Sequence, residues 1–557
     1  MARLIETFPL RPQLSLDGVW DFVPESKPLK TPPPEKAFSE KLPVPGVWAS
    51  ELRHFDYRGF GWYRRAFTWP GKAPSTLRLV FGAVSHTAEV FLDGKRLGSH
   101  HGAHTAFDFI VPAVKPGLHT LCIRVGNLYG PDNPLYYPQQ DIYLFGGIPQ
   151  SVVIESLPAA SIRSATAVPR KTGARWMLDV SAALHSANDQ SATGQLRVSL
   201  DGRALGVLKI GRSGTGRASF NAGPVKLWSP ESPSLSLVRL ESEEDAWQER
   251  IGFRTIEVRG RHILLNGKPL TLKGVNRHEH HPDFGSALPA TIHARDIAIL
   301  KTLGANFVRG SHYPNDPLFL DLCDENGLLF WDELSHWQPR KEDFQNPLFL
   351  QRSLEQLEEM VPQHRHHPSI ILWGMLNEAA TFLPLARPIV KALARRFRKL
   401  DPTRPITFAS CSPNADVCLD LVDVVSLNAY PGWYSGTLDA AGATMTEHIR
   451  NFSRRAGGKP LILSEFGGGG LTGVRSFEDR KWTENYQAEL LIRLMDAIQE
   501  TRRVCGVAIW QYCDVRTSAA HGLGRIREYN NKGILSDYRE PKMAFYALQK
   551  AFRSFKA

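Results

Sequence analysis

The chain is poor in cysteine, has no long apolar run and carries no glycine-rich phosphate loop, and each lack removes a class of protein. Six cysteines (Cys122, Cys323, Cys411, Cys418, Cys505 and Cys513) are scattered through 557 residues, mostly inside apolar strand-like runs. They read as buried thiols, not as a disulfide framework or a zinc site, and no metal is expected. No stretch of about 18 apolar residues is present, so no membrane-spanning helix is expected. The N-terminal MARLIETFPLRPQ lacks the apolar core of a secretory signal, which points to a cytoplasmic protein. No G-x-G-x-x-G opens the α/β part, which argues against a dinucleotide fold and a cofactor of that kind. Lys and Arg number 67 against 56 Asp and Glu, but they are spread over the whole length. Without a basic stripe interleaved with aromatics, nucleic acid is not an expected partner. The surplus is either ordinary solvated charge or a field that favours anionic substrates.

What is present is a large globular composition: 42% hydrophobic, 22% charged, with 13 Trp. The length implies two to four domains. Residues 1–157 hold short alternating segments such as WYRRAFTW, STLRLVFGAV and HTLCIRVGN, the spacing of a jelly-roll β-sandwich. Within them, VFLDGKRLG signals a hairpin turning at Asp93-Gly94. Residues 158–257 add about seven more short runs, an immunoglobulin-like β-sandwich by length and pattern. From 258 to 557, apolar strand candidates alternate with amphipathic helices, the rhythm of a parallel sheet.

Eight strand candidates can be counted: 271–276, 306–311, 328–333, 370–376, 406–410, 422–428, 461–466 and 505–512. Eight such strands in about 300 residues predict a (β/α)8 TIM barrel, so the chain reads as a multidomain β and α/β protein. Strand four runs into Asn377 and Glu378, and strand seven ends in Glu465. Active sites of such barrels lie at the C-terminal ends of the strands. Two carboxylates placed there can face each other across a pocket, the pair with which most glycosidases work. The plainer reading of each glutamate is an ion pair with a barrel Arg or Lys. The HRHHP group with His364, His366 and His367 precedes strand four, so it belongs to the opposite face and reads as solvent-exposed or structural.

Seven motifs in order along the barrel carry a family resemblance: GVNRHEH, VRGSHYP, WGMLNE, NAYPGWY, SEFG, IWQYCD and NNKG. The chain resembles glycoside hydrolase family 2 and, within it, the β-glucuronidases. The resemblance implies a jelly roll, an immunoglobulin-like domain and a catalytic barrel. It makes Glu465 the nucleophile, which must be ionised, and Glu378 the acid/base, which must first be protonated. In retaining enzymes the two carboxyls stand about 5–5.5 Å apart, and the charge on Glu465 then favours a protonated Glu378. The same resemblance places Asn377 against the sugar 2-hydroxyl and Tyr430 against the nucleophile. It puts His278 and His312 in the sugar pocket; Glu333, ending strand three, and Trp510, ending strand eight, read as pocket wall or equally as core. Asp141 would reach into the barrel from the jelly roll to bind a sugar hydroxyl.

Substrate choice is implied by Asn530 and Lys532, whose N-x-K spacing is the β-glucuronidase feature that grips the sugar carboxylate. Asn-Asn-Lys-Gly is also good turn chemistry. Two departures stand out. The acid/base is followed by Ala379 where the family usually has proline, which implies a more mobile loop. The segment after strand three is short, which implies an open entrance. The expected activity is a retaining exo-β-glucuronidase acting on a glucuronide-bearing small molecule or oligosaccharide, with no cofactor and a homo-oligomeric assembly. A β-galacturonidase, a β-galactosidase and a catalytically silent carbohydrate-binding protein are the alternatives.

Overall fold

The computed structural model describes residues 3–135, 141–186 and 190–556, with the backbone alone at 521–523. At the N-terminus, strands Gln13–Ser15, Val152–Leu157, Ser75–Phe81 and Phe107–Val114 form one antiparallel sheet. Strands Glu40–Val44, Gly18–Pro24, Phe60–Trp69, Gly117–Gly126, Thr87–Leu92 and Lys95–His101 form a second. Trp20, Phe22, Tyr63, Leu77, Leu79, Phe81 and Ile123 fill the space between them. The hairpin Thr87–Leu92/Lys95–His101 turns on Asp93 and Gly94, with φ of 49° and 76°. Positive φ at both central residues is what the right-handed twist of a tight hairpin requires, and Asp-Gly tolerates it.

The next sandwich has seven strands: Ala160–Thr172, Arg175–Ser186 and Thr215–Asn221 in one sheet, and Arg203–Ile210, Gly194–Leu200, Ser236–Glu241 and Ala246–Ile251 in the other. Strand Arg175–Ser186 shows the logic most plainly. Trp176, Leu178, Val180, Ala182 and Leu184 point to one side and enter the shared core, while Met177, Asp179, Ser181 and Ala183 between them are only partly buried.

The third part is a closed parallel barrel. Its strands one to eight are Leu272–Arg277, Phe307–Gly310, Leu329–Glu333, Ile370–Asn377, Ile406–Ser410, Val425–Asn428, Leu461–Glu465 and Gly506–Ile509. Strand four is buried at every position, because helices cover it outside and side chains fill the barrel inside. Helix Ala386–Leu400 turns Ile389, Val390, Leu393, Ala394 and Phe397 inward, the spacing of one helical face. The βα rhythm breaks once: strands five and six are joined by a loop holding only the short 3-10 turn Leu419–Leu421. Strand eight stops at Ile509, short of the expected 512, because Gln511 N–H donates to Lys532 O at 3.0 Å and draws the chain across the rim.

The HRHHP histidines are buried, which corrects the solvent-exposed half of their reading. His364 Nδ1 lies 2.7 Å from Asp332, His367 Nδ1 lies 2.6 Å from Asp324, and His366 Nε2 accepts from Ala167 N–H at 3.1 Å. They seal the barrel base against the second sandwich. Asp321, Asp324 and His367 stand within 4.8 Å of one another, but Arg3 already clamps Asp321 with two bonds of 2.8 and 2.9 Å. Among the described residues, no helix is long and apolar enough to cross a membrane.

Candidate active site

Strands four and seven deliver Glu378 and Glu465 to one cavity of about 440 Å³ at the C-terminal rim, also lined by Asp141, Gln338, Asn428, Tyr430, Tyr434, Trp510 and Arg525. Glu465 is almost fully buried. Tyr430 Oη donates to its Oε2 at 2.7 Å and Arg309 Nη1 to its Oε1 at 2.8 Å. Two donors, one of them a cation, hold the carboxylate in place and favour its ionised form. Burial and then the charge of Glu378 act against them and push the Glu465 carboxyl up to about 8. Glu465 lies deeper than Glu378, which is only half-buried at the rim.

Arg309, at the end of strand two, organises the floor. It is fully buried and donates to Glu465, to Asn377 Oδ1 at 2.9 Å and to both oxygens of Glu333 at 3.0 Å. Sequence reasoning passed over it, although it stands inside VRGSHYP; only its three-dimensional partners reveal its use. Asn377 Oδ1 is thus taken by Arg309 and by Asn428 Nδ2 at 3.1 Å, while Asn377 Nδ2 has no partner among the described residues. A buried amide donor left open suits a sugar hydroxyl.

Two histidines pack against Trp510, which lines the cavity, and are not themselves among its lining residues. His312 Nδ1 lies 2.8 Å from Glu333 Oε1 and 3.3 Å from Arg309 Nη2, and its Nε2 has no hydrogen-bond partner among the described residues. His278 Nδ1 lies 3.2 Å from Tyr313 Oη, and its Nε2 is open too. Burial, then nearby positive charge, holds both rings neutral. Trp510 stacks on His312 at 5.0 Å with an interplanar angle of 11°. Glu333, buried and pushed up to about 7 chiefly by desolvation, lies behind Arg309 and His312 rather than in the wall.

A family description, Glycosyl hydrolases family 2, TIM barrel domain, matches residues 256–557. The chain belongs to glycosyl hydrolase family 2. It is 35% identical to a GH2 β-galacturonidase from Eisenbergiella tayi solved with galacturonate, covering 100% of both chains with a TM-score of 0.93. A β-glucuronidase from Rattus norvegicus is 29% identical over 98% of this chain and 91% of its own. One from Paenibacillus borealis is 28% identical over 95% of each. The chain is accordingly a glycoside hydrolase.

In this family 2 barrel the loops past strand eight meet the first sandwich. Asp141 accepts from Asn530 Nδ2 at 2.7 Å and from Arg525 Nε at 2.6 Å, with a second Arg525 bond through Nη2. Arg525 was missed, since nothing in its sequence neighbourhood marks it. Lys532 is 2% exposed, and its Nζ stands 5.1, 5.9 and 6.0 Å from the ring centres of Tyr434, Tyr430 and Trp433. No carboxylate of the described residues pairs with it. A buried ammonium caged by π-faces is a cation held ready for an anion.

The backbone on either side of Glu378 is tied to the loop after strand three. Asn377 N–H donates to His336 O at 2.8 Å, Gln338 N–H to Asn377 O at 2.7 Å and Ala380 N–H to Pro339 O at 2.8 Å. Five of the six cysteines are buried, as expected; Cys411 is exposed in the cavity wall.

Proposed function

We propose that this protein is a retaining, exo-acting β-hexuronidase that releases terminal β-D-glucuronic acid from a small aglycone or an oligosaccharide end. One observation carries the reading: Lys532, a buried cation without an acidic partner among the described residues, lies beside the ring of Tyr430, which holds Glu465. A sugar carboxylate at C6 would supply the missing charge, and Asn530 a neutral polar group beside it.

In the first half of the reaction Glu465 attacks the anomeric carbon as the bond to the leaving oxygen breaks, and Glu378 gives that oxygen its proton. In the second half, water adds to the same carbon as the bond to Glu465 breaks, and Glu378 takes the water proton. Asn377 Nδ2 and the unpartnered Nε2 atoms of His278 and His312 would orient hydroxyls. Neither half calls for a cofactor.

The configuration at C4 has a second reading. Identity to the Eisenbergiella tayi β-galacturonidase, 35%, exceeds the 29% to the rat β-glucuronidase, which favours β-galacturonides. Nitrophenyl β-glucuronide, β-galacturonide, β-galactoside and β-mannoside assayed side by side test both readings. Either uronide should exceed the neutral glycosides, with the β-anomer formed first by proton NMR. Preference for a neutral glycoside, or an initial α-anomer, overturns the proposal.

A further inference from the structure

Both oxygens of Glu378 are held by neutral donors, and the two holds differ. Asn428 Nδ2 donates to Oε1 at 3.1 Å. That amide is locked, because its Nδ2 also meets Asn377 Oδ1 at 3.1 Å and its Oδ1 accepts from Ser464 Oγ at 2.7 Å. Among the described residues, Oε2 has one partner, Gln338 Nε2 at 2.8 Å. Gln338 comes from the loop after strand three and lines the cavity. Its φ is 49° and that of Glu378 is 48°, two non-glycine residues in the left-handed region, on loops joined by the bond from Gln338 N–H to Asn377 O. Backbone of that kind persists only where its surroundings over-determine it.

We propose that Gln338 is a positioning residue for the proton transfers of Glu378, designating Oε2 as the oxygen that gives up and regains the catalytic proton. The inference rests on Glu378 being the acid/base of the retaining reaction. Oε1 keeps the locked Asn428 amide throughout. Oε2 faces a single unbranched side chain that can yield room to a substrate oxygen. In the first half-reaction the proton on Oε2 passes to the leaving oxygen as the glycosidic bond breaks. Negative charge then rests on Oε2, where the Gln338 N–H donor stabilises it. In the second half-reaction the water proton returns to Oε2 as water oxygen bonds to the anomeric carbon. Gln338 therefore makes Glu378 a readier acid in the first half and keeps its base form aimed at the water in the second.

The test is a pH profile of kcat/KM on an unactivated aryl uronide, whose departure needs the proton, for wild type, Gln338→Ala and Gln338→Glu. Losing one donor to the ionised form should move the basic limb to higher pH by about one unit. Gln338→Glu, close in shape but adding a like charge, should move it further. Loss of rate in Gln338→Ala should be on the order of tenfold for the poor leaving group and smaller for an activated one. Equal losses for both leaving groups with the basic limb in place in both variants would overturn the proposal. If Gln338→Ala does not fold, Gln338→Glu alone decides. The underlying reading fails separately: Glu378→Ala with an activated substrate would then show no rescue by azide.

Discussion

Arg309 spreads one buried positive charge over Glu465, Glu333 and Asn377, so Glu465, the proposed nucleophile, receives only a share of it. That balance has a measurable consequence. Glu465 must be ionised to attack, so its protonation sets the acid limb of kcat/KM. The charge of Glu378 is one of the two forces that raise Glu465. Glu378→Gln removes that charge, Glu465 then ionises at lower pH, and the acid limb should shift down. An activated aryl uronide reads this, since its leaving group departs without a proton; an unmoved limb would show that the carboxyls do not sense each other. Lys532 makes the second case at this scale. Its ammonium against a sugar carboxylate is worth about 1.5–3 kcal/mol, so Lys532→Ala should cut kcat/KM for the uronide by roughly tenfold to a hundredfold or more. The matching neutral β-glycoside lacks the carboxylate and should lose little. The ratio of the two activities is the quantity to follow, because damage to the fold lowers both.

At the scale of elements, the strands with a clear covering pattern were legible through their own period. Arg175–Ser186 alternates, strand four is apolar up to Asn377, and helix Ala386–Leu400 repeats on one face. These patterns follow from which sides of the element are covered, and that is written locally. The loop between strands five and six was less legible, since a chain can cross between parallel strands without a full helix when the span is short. Strand Arg175–Ser186 offers a stability test away from the chemistry. Leu178 is fully buried between the sheets of the second sandwich. Leu178→Ala should cost about 2–5 kcal/mol through lost transfer energy and the cavity left behind. Urea denaturation followed by tryptophan fluorescence checks it; a loss under about 1 kcal/mol would mean that the site collapses around the gap.

The whole molecule buries an unusual set of histidines. His336 is driven down to about 4 and His104 and His366 to about 3, in each case chiefly by desolvation. His86, His278, His280 and His312 are lowered well below their ordinary range by the same cause. The unfolded chain binds protons on these rings below about pH 6.5, and the folded chain does not. Their contribution to stability is therefore present above that pH and is lost as pH falls. Glu279, Glu333, Glu465 and Asp514, raised to about 8, 7, 8 and 6, pull the other way, but the histidines outnumber them. The thermal midpoint should accordingly drop between pH 6.5 and 4.5. A flat midpoint over that range in scanning calorimetry would mean that the rings titrate in the folded state.

The sequence by itself determined the eight-stranded barrel, the two β-sandwiches before it and the two glutamates at strand ends, because periodicity and element termini are local properties. Asn530 and Lys532 were marked only through the family resemblance that their N-x-K spacing carries. Only the tertiary structure decided how these groups are supported. Arg309 binds Glu465, 156 residues away; Arg525 binds Asp141 across 384; Gln338 reaches Glu378 from another loop. It also decided that burial acts on Glu465 more than its rim-lying partner, and that the HRHHP histidines are interior. Charge balance and desolvation depend on what the fold packs around a group, and neighbours brought together from distant parts of the chain leave no pattern in the residues beside it.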